Sequence, residues 1–143
     1  MLEVIRVKRL RPEAELPFRA TPGSSGYDLY ACLAADLEIG QEPTRVPTGL
    51  AIEVPEGIDV QIRPRSGLSA QGVMTTFGTI DSDYRGELLV TLYALPYRSP
   101  HVVHNGDRIA QLVISRIEDI ALEEVGELAE TERAAGGHGS TGR

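Results

Sequence analysis

The chain is poor in the residues that staple or anchor small folds. It has one cysteine, Cys32, no tryptophan and only two phenylalanines among 143 residues. A single thiol forms no intramolecular disulfide, so a reducing compartment is expected. Cys32 itself reads as a small buried hydrophobe. No apolar run approaches the ~18 residues that span a bilayer. The opening MLEVIRVKRL is charged and alternating where a signal peptide is apolar. The expectation is a cytoplasmic protein with no membrane partner. Basic charge is also scarce: 14 Lys and Arg stand against 21 Asp and Glu, a net charge of −7. That argues against a broad nucleic-acid or anionic-membrane surface. An anion site therefore has to be local. Thirteen of the 14 cations are arginine, with Lys8 the one lysine, and arginine grips phosphate oxygens bidentately.

What is present is period-2 patterning broken by proline and glycine. LEVIRVKRL (2–10), LAIEVPEG (50–57), IDVQIRP (58–64), ELLVTLYAL (87–95) and IAQLVISRI (109–117) read as strands, by alternation or by continuous apolar runs. Many short strands with turn residues between them predict one all-β domain, a sandwich or barrel. SGLSAQG (66–72) predicts one or two helical turns, with Ser66 as N-cap and Gly72 as terminator. EDIALEEVGELAETER (118–133) is acidic and only weakly periodic. It reads as a surface linker into GGHGSTGR (136–143), which has no aliphatic side chain. Such a tail cannot offset the ~1–2 kcal/mol per residue that ordering a backbone costs. It is either a frayed end or a lid that orders over an anion, with glycine N–H groups and hydroxyls as donors.

Four internal stretches carry candidate chemistry. RPRSGLS (63–69) sets Arg65 before a Ser-Gly pair that opens the short helix, a compact phosphate site or else a surface turn. GTIDSDYRGE (78–87) holds Asp81, Asp83 and Tyr84. In an extended strand both carboxylates point to one side and Tyr84 to the other. Asp81 then suits a general base on water and Tyr84 a stacking surface for a sugar or base; the alternative is an ordinary Asp-Gly turn. SGYDLYA (25–31) puts Asp28 between two tyrosines. NGDRIAQLV (105–113) leads a turn into a strand, with Gln111 able to reach a ligand and Asp107 and Arg108 able to pair with a neighbouring chain. His101, His104 and His138 form no ligand cluster with Cys or carboxylates, so a side-chain metal cage is not expected. Mg²⁺ held mainly by substrate phosphates and water needs few protein ligands. No P-loop, dinucleotide fingerprint or nucleophile elbow occurs.

Taken in order over residues 25–142, SGYDLYA, PRSGLS, GTIDSDYRGE, GDRIAQLV and GGHGSTG resemble the five motifs of the trimeric dUTPases. The resemblance implies a jelly-roll-like β-barrel over residues 1–132, with one short helix, and a flexible arm over 133–143. It implies a homotrimer whose three sites are each built from all three chains. The implied reaction is Mg²⁺-assisted hydrolysis of dUTP to dUMP and pyrophosphate, which limits uracil in DNA and supplies dUMP for thymidylate synthesis. Asp81 would orient and deprotonate the attacking water. Arg65, Ser66, Gly67 and Gln111 would bind phosphates, joined from the arm by Arg133, Ser140 and Thr141. The backbone around Gly78, Thr79 and Ile80 would read the uracil edge, and Tyr84 would exclude a 2′-hydroxyl. Asp28 would approach the metal through water.

Three departures from the family pattern stand out. His138 occupies the usual Phe position of the arm, where an imidazole can still lie over uracil. Ala134 replaces the Gly that usually follows the arm's arginine. The run SAQGVMTTFGTID is shorter than in many members and lacks their Asn in the uracil-reading hairpin, with Thr75 or Thr76 as the substitute. The related dCTP deaminases, and bifunctional relatives, need a Glu on the strand after the third motif. Thr91 stands there in this chain and Glu87 comes too early. A non-catalytic nucleotide-binding trimer would gain nothing from Asp81.

Overall fold

The computed structural model describes residues 3–139, 141 and 142. Nearly all regular structure in it is β. β6 (Ile58–Arg63) shows why: Ile58, Val60 and Ile62 are buried while Asp59, Gln61 and Arg63 are only half covered. A strand with that alternation covers a core with one face and meets water with the other. β9 (Leu89–Ala94) does the same through Val90, Leu92 and Ala94.

The strands pair antiparallel in four sheets. The largest has the order β2 (Gly26–Tyr30), β11 (Arg108–Arg116), β6, β8 (Gly78–Ile80). A second has the order β4 (Thr44–Pro47), β9, β7 (Val73–Thr75). Two smaller ones pair β1 (Arg6–Arg9) with β5 (Leu50–Glu53) and β3 (Leu37–Ile39) with β10 (His101–Val103). All four contribute to one core, among them Leu29, Val60, Ile62 and Leu112 from the first, Val46, Val90 and Leu92 from the second, and Leu50 and Ile39 from the smaller pairs. This is the jelly-roll arrangement expected, although among the described residues the strands do not close into one continuous hydrogen-bonded barrel. No helix among them is long and apolar enough to cross a membrane.

The structure corrects three local expectations. β1 spans four residues, all exposed, and among the described residues it pairs only with β5. The helix α1 spans Ser66–Ala70, so its N-cap is Arg65, in extended conformation and without a side-chain cap; Ser66 is its first turn. Gly72 does terminate it, at φ +86°. Among the described residues β7 and β8 do not form the expected hairpin with each other: β7 pairs with β9 and β8 with β6, so Thr76 and Phe77 cross from one sheet to another. Within the chain, Asp107 accepts the His104 N–H at 2.8 Å and Arg108 faces Asp28.

After β11 the packed body ends. The Ile117 N–H still donates to the Gly57 carbonyl, and residues 118–133 then run without helix or strand and are exposed, as the linker reading required.

Candidate active site

The register of the largest sheet builds the first part of the site. Asp28 on β2 lies opposite Gln111 on β11, which lies opposite Arg63 on β6. Residues directly opposite share a face, and this is the polar face; Leu29, Leu112 and Ile62 point to the core. The Gln111 amide donates to the Pro64 carbonyl at 2.9 Å. To get there it passes over Gly26, where a Cβ would stand 3.0 Å from the Gln111 Cδ. Arg65 follows Pro64. Its Nε lies 3.3 Å from the Asp28 carboxylate, and its Nη1 donates to the Arg108 carbonyl at 3.3 Å. Arg108 faces the other Asp28 oxygen at 3.9 Å. In a protein of net charge −7, two guanidinium groups thus converge on one half-buried carboxylate beside Gln111. Asp28 in turn helps hold the Tyr30 phenol above its usual range, an effect led by burial.

Ser66 and Gly67 are exposed at the start of α1. The helix has only five residues, so local N–H groups and the Ser66 hydroxyl, not a macrodipole, are what it offers an anion.

The second part of the site is β8 and the loop after it. β8 is the edge of its sheet, paired only with β6 among the described residues. One side of its backbone therefore keeps free donors and acceptors. Gly78 and Ile80 lie opposite Ile62 and Val60, and Thr79 opposite Gln61. Asp81 ends the strand, exposed, and its carbonyl accepts the Tyr84 N–H at 3.0 Å. Residues 81–84 are therefore a turn, and the alternating-face argument for Asp81, Asp83 and Tyr84 does not apply. Thr75 is buried on β7, in the other sheet, and its Oγ1 has no hydrogen-bond partner.

The third part is the arm. Among the described residues, Arg133, Gly137, His138 and Thr141 make no hydrogen bond beyond the arm, Arg133 Nε donating to the Gly136 carbonyl. Ala134 and His138 both adopt positive φ, 50° and 48°, a conformation that favours Gly and costs other residues strain. Ser140 lies outside the described residues. Among those described, no side-chain hydrogen bond or ion pair joins the Asp28–Arg65–Gln111 cluster to loop 81–84, or either one to the arm.

No group of three or more His, Cys, Asp or Glu able to cage a metal occurs among the described residues. The carboxylate that pairs with Arg65 and Arg108 is Asp28. That fits Mg²⁺, which keeps its waters and needs one carboxylate plus substrate phosphates, and does not fit a resident Zn²⁺ or Ca²⁺. Sequence reasoning missed Arg108 as a partner of Asp28, and it missed Gly26, whose only signal is its position two residues before Asp28.

Comparison with known proteins gives the same family throughout. The dUTPase family model matches residues 12–142. The deoxyuridine 5′-triphosphate nucleotidohydrolase of Neorickettsia sennetsu is 47% identical over 134 residues, covering 91% of this chain and 89% of that one. That of Syntrophotalea carbinolica is 48% identical over 144 residues, covering 96% of each. Among solved structures, the dUTPase of Staphylococcus bacteriophage 80alpha with dUpNHpp aligns at a TM-score of 0.82 and 27% identity, over 98% of this chain and 99% of that one. A dUTPase variant from phage phi11 of S. aureus, described with a structural Mg(II) ion, aligns at 0.75 and 25% identity, over 87% and 97%. The five motifs, the jelly-roll sheets and these matches agree: the chain belongs to the dUTPase family.

Proposed function

We propose that this chain hydrolyses dUTP to dUMP and pyrophosphate, with Asp81 as the base that orients and deprotonates the attacking water. The observation that carries the site assignment is the Asp28–Arg65–Gln111 cluster, Asp28 and Gln111 on the paired strands β2 and β11 and Arg65 just after β6, with Arg108 behind it. Arg65, Ser66, Gly67 and Gln111 bind the phosphates there. The free edge of β8 at Gly78, Thr79 and Ile80 pairs with the uracil edge, and the ring of Tyr84 lies against the deoxyribose and leaves no space for a 2′-hydroxyl. Mg²⁺, carried by the nucleotide phosphates and approached by Asp28 through water, neutralises the triphosphate charge.

A homotrimer with shared sites belongs to this reading. Its support is the separation of the motif residues into three groups on one chain, with no side-chain bond linking them among the described residues. A complete site then draws the phosphate cluster, the β8–Tyr84 edge and the arm (133–143) from different copies. The arm supplies Arg133, His138, Ser140 and Thr141 as a closing lid. The cytoplasm is the compartment this reading requires, and the buried free thiol of Cys32 suits it.

Deamination of dCTP would need a proton-shuttling Glu on β9. Thr91 is there instead, and the Glu87 carboxylate is taken by Arg11 and the Gly49 N–H. The deciding experiment is a pyrophosphate-release assay with Mg²⁺ on dUTP, dTTP, dCTP and UTP, with ammonia followed in parallel. Release from dUTP alone, without ammonia, is expected. Ammonia from dCTP would overturn the assignment.

A further inference from the structure

Tyr84 is held by its own loop. Its hydroxyl donates to the Glu87 carbonyl at 2.9 Å. Its ring folds back over Gly86, where a Cβ would stand 2.5 Å from the Tyr84 Cζ and 2.9 Å from Cε1. The ring stays 43% exposed, so one part packs on Gly86 and the rest is open to a ligand.

The residue that supplies this acceptor is fixed from two distant parts of the chain. The Glu87 carboxylate accepts from Arg11 at 2.7 and 3.4 Å and from the Gly49 N–H at 2.9 Å. Arg11 belongs to the segment after β1, and Gly49 to the turn between β4 and β5. Next along the chain, the Leu88 N–H donates to the Leu50 carbonyl at 2.8 Å, and Leu88 is buried. The base of the loop is therefore anchored, and the Tyr84 ring is poised on that anchor.

We infer that Arg11 and Glu87 are a positioning pair for sugar selection: they fix the carbonyl that holds Tyr84 over Gly86, and so set how firmly the ring excludes a 2′-hydroxyl. The inference rests on the proposed role of Tyr84 at the deoxyribose. A merely structural ion pair, partly exposed at both ends, contributes little to stability. Its loss would lower activity on every nucleotide alike. A positioning pair instead changes the ratio between ribo- and deoxyribonucleotides.

The test measures kcat and KM for dUTP and UTP with Mg²⁺, in the full chain and in Arg11→Met, Arg11→Lys, Glu87→Gln, Gly86→Ala and Tyr84→Ala. Arg11→Met, Glu87→Gln and Gly86→Ala are expected to raise the UTP-to-dUTP ratio of kcat/KM by about tenfold, mainly through KM. Arg11→Lys keeps a cation opposite Glu87 and should restore part of the discrimination. An unchanged ratio in Arg11→Met that is folded by near-UV circular dichroism overturns the inference, whether or not Glu87→Gln folds. A wild-type chain that turns over UTP as well as dUTP, or a Tyr84→Ala variant with an unchanged ratio, overturns the reading of Tyr84 itself. A changed ratio in Tyr84→Ala alone leaves Tyr84 in place and rejects only the pair.

Discussion

Gln111 reaches the Pro64 carbonyl by lying across Gly26. The two residues face each other diagonally on β11 and β2, and the absent side chain of Gly26 is the channel for the amide. Gly26→Ala should push Gln111 off Pro64, since the new Cβ would also stand 3.1 Å from the Gln111 Cβ, which cannot swing away. Overpacking of this kind costs about 1–3 kcal/mol. Thermal melting should show that loss, and, on the proposed role of Gln111 at the phosphates, KM for dUTP should rise. A variant with unaltered KM would remove Gln111 from the phosphate site.

Asp81→Asn tests the base. Asp81 is exposed and, among the described residues, bonded only through its backbone, so the change disturbs little packing. Turnover of dUTP should fall by about 10²–10⁴-fold, the usual worth of a positioned general base. Binding of a non-hydrolysable dUTP analogue should persist. Normal turnover in the folded variant would sink the mechanism.

Thr75→Val separates two roles for one residue. The Thr75 Oγ1 is buried without a partner, and an unsatisfied buried hydroxyl costs roughly 1–3 kcal/mol. If the hydroxyl meets nothing in the working enzyme either, valine of the same shape should raise the melting temperature and leave uracil selection alone. A weaker dUTP preference over dCTP and dTTP would instead show that Thr75 stands in for the missing Asn.

Legibility followed chain distance. β6 and β9 could be read directly, because Ile58, Val60 and Ile62, and Val90, Leu92 and Ala94, keep period 2. β3, β7, β8 and β10 have three residues each, too few for periodicity to register. The turn at 81–84 competed with an extended reading because Asp, Ser and Gly serve both. Asp28, Arg65 and Gln111 were legible only through motif order; their meeting depends on β2 and β6 both pairing with β11. The Arg11–Glu87 contact joins residues 76 apart, and no local pattern announces it.

Removing residues 134–143 should leave the melting temperature nearly unchanged. Among the described residues the arm makes no hydrogen bond to the body. Turnover should nevertheless collapse, because a lid that orders over the nucleotide excludes water and completes the phosphate contacts. Full activity in the truncated chain would reject the lid and return the tail to a frayed end.

Acid should weaken the Arg11–Glu87 pair in a defined window. The Arg11 guanidinium holds the Glu87 carboxyl below its ordinary value of 4.5, helped by the Gly49 N–H and opposed by partial burial. A carboxylate whose folded pKa is depressed binds fewer protons folded than unfolded. Its stabilising contribution is therefore complete above the ordinary value of 4.5, and it fades as pH falls through the lower folded value. Wild type and Glu87→Gln should thus differ in melting temperature by a constant amount near neutrality, and the gap should shrink steadily in acid. The other carboxylates are common to both proteins and cancel in the difference. A gap that stays constant from neutrality down to about pH 3 would mean that Glu87 draws no net stability from its charge. Arg11 would then hold the loop through geometry alone.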